Sequence, residues 1–378
     1  MSSANGRQDL SALGIQDLSA LGIQALVDPG KTPTDEQVRV IEAPRRPLLV
    51  VAGAGSGKTE TMSMRVLWLV ANHEDIAPSS VLGLTFTRKA AGELGDRLRQ
   101  RLALLARRVP SLRERLDEDP VSLTYNSFAE RIVAEHGMRI GIDPDFTMLT
   151  EAGAVDLMTQ IVEGWPTDLD EDLSPSAAVG HCLHLAGEVG EHGYTVEEAR
   201  NALEGFGRDL EQIGATNDTA RRTARANARR LAYLGPVEEF QRRKREGGLL
   251  DFSDQLVLAT RIVREAPAVR AQVRDEFQAV LLDEFQDTSV IQMELLSLLF
   301  HDHAVTAVGD PNQAIYGWRG ASASSLERFL DRFQDGPAQP GQTLTLSTAW
   351  RNDRNILRAA NRVAAPLREH SRAAKSPV

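Results

Sequence analysis

Ala52-Gly53-Ala54-Gly55-Ser56-Gly57-Lys58-Thr59 joins the residue types that an anion cradle needs. Gly53, Gly55 and Gly57 have no β-carbon, so backbone N–H groups can curl round an anion. Lys58 would neutralise β- and γ-phosphates, and the Thr59 hydroxyl would ligate Mg²⁺. The strict pattern has glycine where Ala52 stands, and alanine is small enough to leave the reading intact. A chance glycine-rich turn is the plain alternative. It explains neither the Gly57-Lys58-Thr59 ending nor the apolar run before it.

Two carboxylates, Asp283 and Glu284, follow the apolar run Ala279–Leu282. Adjacent acids are common on surfaces. After a buried strand in a chain with a phosphate loop, they suit a metal holder (Asp283) and a base that orients water (Glu284). Gln313, after the next apolar run, is placed to touch both a γ-phosphate and that water, and Arg351 to donate to the phosphate. Together these residues are the parts for hydrolysing a nucleoside triphosphate such as ATP with Mg²⁺.

A third set points to bases. Tyr316, Trp318 and Arg319 sit together in IYGWRGAS, and Phe86 stands at a strand end before Arg88-Lys89. Aromatic faces stack on unpaired bases at ~1–3 kcal/mol each without reading sequence. A core edge is the plain reading of each aromatic alone. Arginines crowd 97–115 and 221–245, where a solvated helical face is the ordinary explanation. With the aromatics they suggest a single-strand track.

These residues need elements to hold them. Apolar runs predict strands at Pro47–Ala52, Val81–Phe86, Ala279–Leu282, Ala304–Val308 and Thr343–Leu346, with a short one opening Val121–His136. Helical spacing predicts helices over Thr61–Asn72, Asp96–Arg115, Leu249–Ile262 (begun by Asp251-Phe252-Ser253-Asp254) and Ser289–Phe300, one ending at Val363, and another helix starting within Thr85–Ala91. Thr34 and Gln37 form a capping-box pattern before VRVIEA. Residues 137–235 are helical in pattern and acidic, and read as an inserted helical domain. QDLSALGI occurs twice in tandem, at Gln8–Ile15 and Gln16–Ile23, and reads as a peripheral extension. Arg368–Val378 reads as a polar tail. The expected fold class is α/β.

Composition sets outer bounds. The chain has 378 residues, enough for two or three cores, and 42% apolar content, so disorder is not expected. A net charge of −10 does not advertise nucleic-acid binding, but binding follows local charge. One cysteine, Cys182, excludes an internal disulfide framework. No apolar run reaches bilayer length and no secretory signal opens the chain, so a cytoplasmic protein without a membrane partner is expected.

The ordered motifs EQ (Glu36-Gln37), AGAGSGKT, TFTRKAA (85–91), TYNSF (124–128), LDFSD (250–254), LLDEFQDTS (281–289), VGDPNQAIYGWRGAS (308–322) and LSTAWRN (346–352) resemble the UvrD/Rep/PcrA-type superfamily 1 DNA helicases. The resemblance covers about residues 33–365. It implies a RecA-like P-loop NTPase sheet with an inserted helical subdomain (1A and 1B). It implies an extension at 1–32, domain 1A at 33–136 and 236–345, the 1B insertion at 137–235, and the start of domain 2A, truncated, at 346–378. It makes Gln37 the adenine reader, Ala52 to Thr59 the phosphate and metal contacts, and Asp283-Glu284 the Walker B pair. Trp350 falls where an adenine-stacking tyrosine is usual, and Arg351 is the motif IV arginine. By the same resemblance Gln286 and Gln313 would couple nucleotide state to DNA, and Thr85, Phe86, Arg88, Asn126, Tyr316, Trp318 and Arg319 would contact DNA.

Two departures stand out: Asn126 replaces a histidine and Glu60 a basic residue. The expected activity is ATP hydrolysis coupled to 3′–5′ translocation on single-stranded or tailed DNA in repair or recombination. The wording of GLTFTRKAAGEL and GKTET is similar to the motors of actinobacterial helicase–nucleases, implying a helicase–nuclease subunit as partner. Because the chain stops soon after motif IV, this stretch is expected to bind nucleotide without unwinding alone. The competing reading is a non-hydrolysing nucleotide- or DNA-binding protein, or a partner-docking one, derived from a helicase. A P-loop ATPase of another kind fits DEFQDT and GDPNQ poorly.

Overall fold

The computed structural model describes residues 18–143, 145–167, 169, 173–214, 217–315, 325–334 and 341–370, the last four by backbone alone. Six strands form one parallel sheet: β1 (Leu48–Ala52), β2 (Val81–Thr85), β3 (Val121–Thr124), β6 (Ala279–Leu282), β7 (Ala304–Gly309) and β8 (Gln342–Leu346). Their order is β3-β2-β6-β7-β1-β8. β1 therefore lies between β7 and β8, with Val51 opposite Gly309 and Ala52 opposite Leu346.

Side chains alternate across the sheet because successive residues of a strand face opposite ways. Leu49, Val51, Leu82, Leu84, Val280 and Leu282 enter one core. Leu48, Val50, Ala52, Val81, Ala279 and Leu281 enter the other. The first core is covered by α5 (Tyr125–His136), α10 (Phe252–Glu265), α11 (Pro267–Glu276), α12 (Val290–Phe300) and α13 (Ser325–Arg332). The second is covered by α1 (Ala20–Val27), α2 (Asp35–Ile41), α3 (Lys58–Asn72) and α4 (Arg88–Arg108). After β8 comes α14 (Arg354–His370), which leaves Ile356 and Val363 exposed.

Between α5 and α10 lie α6 (Glu151–Glu163), α7 (Pro175–Glu191), α8 (Val196–Ile213) and α9 (Asp218–Glu246). They enclose a third core around Met158, Cys182, Leu234 and Phe240. A two-residue parallel ladder joins their base, β4 (Thr147–Met148) beside β5 (Leu249–Leu250). α9 runs unbroken through residue 235, where the sequence reading ends the insertion.

Elsewhere, local chemistry moves the expected boundaries. α4 begins at Arg88, within the helix start read at Thr85–Ala91, where the Thr87 hydroxyl accepts from the Ala90 N–H and caps it, and it continues without a break into the arginine-rich stretch read from Asp96. It ends at Arg108, before Val109-Pro110. α10 begins at Phe252, behind the capping box of Asp251 and Asp254 and as the sequence reads, and runs past Ile262 to Glu265. α14 continues to His370, past the expected end at Val363 and into the expected tail.

The second octapeptide copy is not peripheral. Ser19 caps α1, and Ala20 and Ile23 are wholly buried in the second core. Leu18 exchanges two hydrogen bonds with the Asn72 side chain, at 2.7 and 2.9 Å. The Ala20 N–H donates to Glu42 at 2.7 Å. The first copy lies outside the described residues. Among the described residues, no helix is long and apolar enough to cross a membrane.

Candidate nucleotide site and adjoining cleft

In a parallel sheet every strand delivers its following loop to the same edge. Here that edge collects the 53–57 loop after β1, Phe86 after β2, Asn126 after β3, Asp283 after β6, Asp310 after β7 and Trp350 after β8. The loop after β1 turns through two left-handed glycines, Gly55 at φ 76° and Gly57 at φ 83°. Both are also points of close approach. A β-carbon on Gly55 would stand 2.6 Å from Arg351 Cβ, and one on Gly57 would stand 2.9 Å from Gln37 Nε2. The Ser56 hydroxyl closes the loop by donating to the Gly53 carbonyl at 2.8 Å. The Trp350 N–H donates to the Gly55 carbonyl at 2.9 Å, seating Trp350-Arg351 on the loop.

A hydrogen-bonded chain leads away from Lys58. Its Nζ donates to Glu284 Oε2 at 3.2 Å. The same carboxylate oxygen accepts from Gln286 Nε2 at 3.0 Å. Gln286 Oε1 accepts from the Asp310 N–H at 3.0 Å, and Asp310 Oδ2 accepts from Gln313 Nε2 at 2.6 Å. Gln286 and Asp310 are buried, so the link between them is protected from competing water, while the Glu284 end of the chain is open to solvent. Asp283 is held by its N–H on the Leu84 carbonyl, and its Oδ1 accepts from the Glu284 N–H. Burial, then the neighbouring Glu284 charge, pushes its carboxyl up to about 6.

Two cavities flank this chain. One, of about 420 Å³, is lined by Gln37, Gly57, Glu60, Thr61, Met64 and Trp350. Gln24 and Lys31 complete its wall, so the N-terminal segment belongs to the site that the sequence reading set it apart from. Gln37 Oε1 is engaged by the Thr34 N–H at 3.0 Å in the expected capping box. The other cavity, of about 410 Å³, is lined by Thr85, Phe86, Tyr125, Asn126, Glu284 and Gln313 among others. Thr85, Phe86 and Asn126 thus share a cleft with Glu284 and Gln313, while Arg88 is exposed on α4. Phe86 is half-buried, its ring 4.8 Å from that of Tyr125. It is a cleft wall rather than a free platform. Tyr316, Trp318 and Arg319 lie outside the described residues.

The arginine-rich runs look less like a track in three dimensions. Arg101 makes two 2.6 Å bonds to Glu60, Arg115 donates to the carbonyls of Val70 and His73, and Arg242 and Arg243 share Glu239. Lys244 lies between Asp251 and Asp254. Counting basic residues overstated the free positive charge because their acidic partners come from other helices or other turns.

The sequence reading did not single out Tyr125, Asp310 or Arg101. Tyr125 stands beside Asn126 and its hydroxyl donates to the Asp283 carbonyl at 3.1 Å. Its neighbours in the motif were the available signal. Nothing in the local sequence pairs Arg101 with Glu60.

A parallel sheet with a glycine-rich phosphate loop after one strand and an acidic pair two strands away defines a RecA-like P-loop domain. Within that class the chain belongs to the UvrD/REP helicase N-terminal domain family, which it matches over residues 33–334. It is 30% identical over 330 residues to DNA helicase II of Escherichia coli K12, covering 86% of this chain and 39% of that protein. It is 28% identical over 334 residues to the ATP-dependent DNA helicase PcrA of Staphylococcus epidermidis, covering 88% and 40%. The chain therefore spans about two fifths of the length of these relatives.

Proposed function

We propose that this chain is the ATP-binding and single-strand-contacting part of a 3′–5′ DNA helicase, acting in repair or recombination. The observation that carries the reading is the chain Lys58–Glu284–Gln286–Asp310–Gln313, which ends in the cavity walled by Phe86 and Asn126. A phosphate arriving at Lys58 competes for its ammonium with Glu284. That frees the Glu284 carboxylate to orient and deprotonate water, and the change passes through Gln286 to the loop holding Gln313.

In this reading the base lies in the cavity of Gln37 and Trp350, and the phosphates lie on the N–H groups of 53–59. Arg351, already against Gly55, donates to the γ-phosphate. Asp283 and Thr59 supply hard oxygen donors of the kind Mg²⁺ takes, and a carboxyl raised by burial and a like charge is one that a cation would relieve. When bound, Mg²⁺ would neutralise developing phosphate charge. Thr85, Phe86, Arg88 and Asn126, with Tyr316, Trp318 and Arg319, would meet DNA. The domain limits are proposed as read: 1A split by a helical 1B, and 2A beginning near 346.

The test is ATP turnover by this chain with and without a single-stranded oligonucleotide. We expect stimulation by DNA, a stronger response to 3′-tailed than 5′-tailed duplex, and a loss of at least ~10²-fold in Lys58→Ala. Nucleotide binding without turnover in any condition would favour the non-hydrolysing reading. A chain that binds no nucleotide sinks both.

A further inference from the structure

Among the described residues Arg65 is the largest fully buried side chain, and its position in α3 gives it no part in the chemistry above. Its guanidinium makes five hydrogen bonds. Nε donates to Thr306 Oγ1 at 2.8 Å. Nη1 donates to the carbonyls of Val40 at 2.9 Å, Ile41 at 3.2 Å and Ala43 at 2.8 Å. Nη2 donates to the Pro44 carbonyl at 3.1 Å. Every acceptor is a neutral oxygen, and no carboxylate pairs with it among the described residues. Burial lowers it to about 10, so it keeps its charge at neutral pH.

A lone buried cation is a poor stabiliser, since desolvation costs several kcal/mol and an apolar side chain of that size would pack as well. What the fork provides is geometry. The carbonyls of Val40, Ile41, Ala43 and Pro44 form the end of α2 and the turn beyond it. Gln37 stands one turn earlier on that two-turn helix, ~5 Å along its axis. Arg65 itself lies on the helix that begins with Lys58 and Thr59, two turns further on. Thr306 lies on β7, the strand that leads to Asp310 and Gln313.

We infer that Arg65 is a positioning residue that locks the base-reading helix α2 to the phosphate helix α3 and to β7, so that base and phosphates are gripped in one fixed register. The inference rests on the nucleotide reading above. It predicts a defect specific to ligands that have a base as well as phosphates. Lysine keeps the charge but cannot fork across five acceptors in this spread. A shift of α2 by ~1 Å moves Gln37 relative to the loop, and a misplacement of that size can cost ~10²-fold.

The test compares binding of ATP with binding of inorganic tripolyphosphate, which has no base. In Arg65→Lys we expect the preference for ATP to fall about tenfold while tripolyphosphate binding stays within about twofold. Gln37→Ala should lower the same preference, and adding Arg65→Lys to it should lower it no further. Equal weakening of both ligands by Arg65→Lys, or additive effects in the double variant, would overturn the inference. If Arg65→Lys does not fold, Thr306→Val removes only the Nε acceptor. It should reduce the preference about twofold or more, and an unchanged ratio counts against the proposal. A wild-type chain that binds neither ligand removes the nucleotide reading instead.

Discussion

Glu284 is the one non-glycine residue among those described with a left-handed backbone, at φ 50°. That conformation costs about 1–2 kcal/mol, and the cost is met because Lys58 and Gln286 both hold its carboxylate. The turn lifts Glu284 off the strand while Asp283 stays at its end. Asp283 stores a second strain, electrostatic rather than conformational. Its carboxyl sits at about 6, above its ordinary 3.8, so the folded chain binds that proton more tightly than the unfolded one. Its contribution to stability is therefore lost as pH rises from about 4 through 6. Asp283→Asn should stabilise the nucleotide-free protein at pH 7.5 by on the order of 1–2 kcal/mol of unfolding free energy, read as a higher melting temperature, and much less at pH 4.5. An equal gain at both values would show that burial and Glu284 do not strain this carboxyl. The sequence identified both acids by their place after an apolar run. It gave no sign of the left-handed backbone turn at Glu284.

Among elements, α1 is the one most at odds with its sequence. An exact tandem copy suggests an appendage. Yet Ile23 is wholly buried, and the Asn72 and Glu42 side chains hold the backbone at Leu18 and Ala20. The helix has only eight residues, too few to be stable alone in water, so its order comes from packing on α3 and α4. Ile23→Ala should cost about 2–4 kcal/mol of unfolding free energy, read as a lower denaturant midpoint at unchanged slope. A loss below about 0.5 kcal/mol would mean that α1 is not part of the cooperative core. Strand positions, in contrast, were legible almost to the residue. A buried parallel strand is a continuous apolar run, and such runs at 48–52, 81–85 and 279–282 have no other ready interpretation. Helix starts were legible from their capping residues, Thr87 and Asp251, whereas C-terminal ends were not: α4 stops at Arg108 before Val109-Pro110, while α10 and α14 run on past Ile262 and Val363.

At the scale of the molecule, the helical insertion meets the sheet-bearing body where α9 passes through β5 into α10. Lys244 of α9 is buried there between Asp251 and Asp254, 2.7 Å from the latter. Burial raises the Asp254 carboxyl in spite of the ammonium. Lys244→Ala would leave two acids facing each other without a cation. We expect a loss of about 3–5 kcal/mol at pH 7.5, shrinking as pH falls and the acids take up protons. A loss that does not depend on pH would assign the effect to the lost contact between Lys244 and the Phe240 ring, 4.9 Å away.

The sequence by itself determined the α/β class, the phosphate loop, the acidic pair, the capping box at Gln37 and the family. Each of these is carried by contiguous residues whose types have a local physical meaning. Only the tertiary structure decided which loops share the sheet edge, because strand order puts β6 and β7 between β1 and β2. It also decided that Gly55 meets Arg351, 296 positions later in the chain by number, across the β1–β8 register. And it gave several residues of the arginine-rich runs, Arg101, Arg115, Arg242 and Arg243 among them, acids or carbonyls as partners. Contacts between residues distant in sequence depend on how helices cross the sheet, and no local pattern of side chains encodes that.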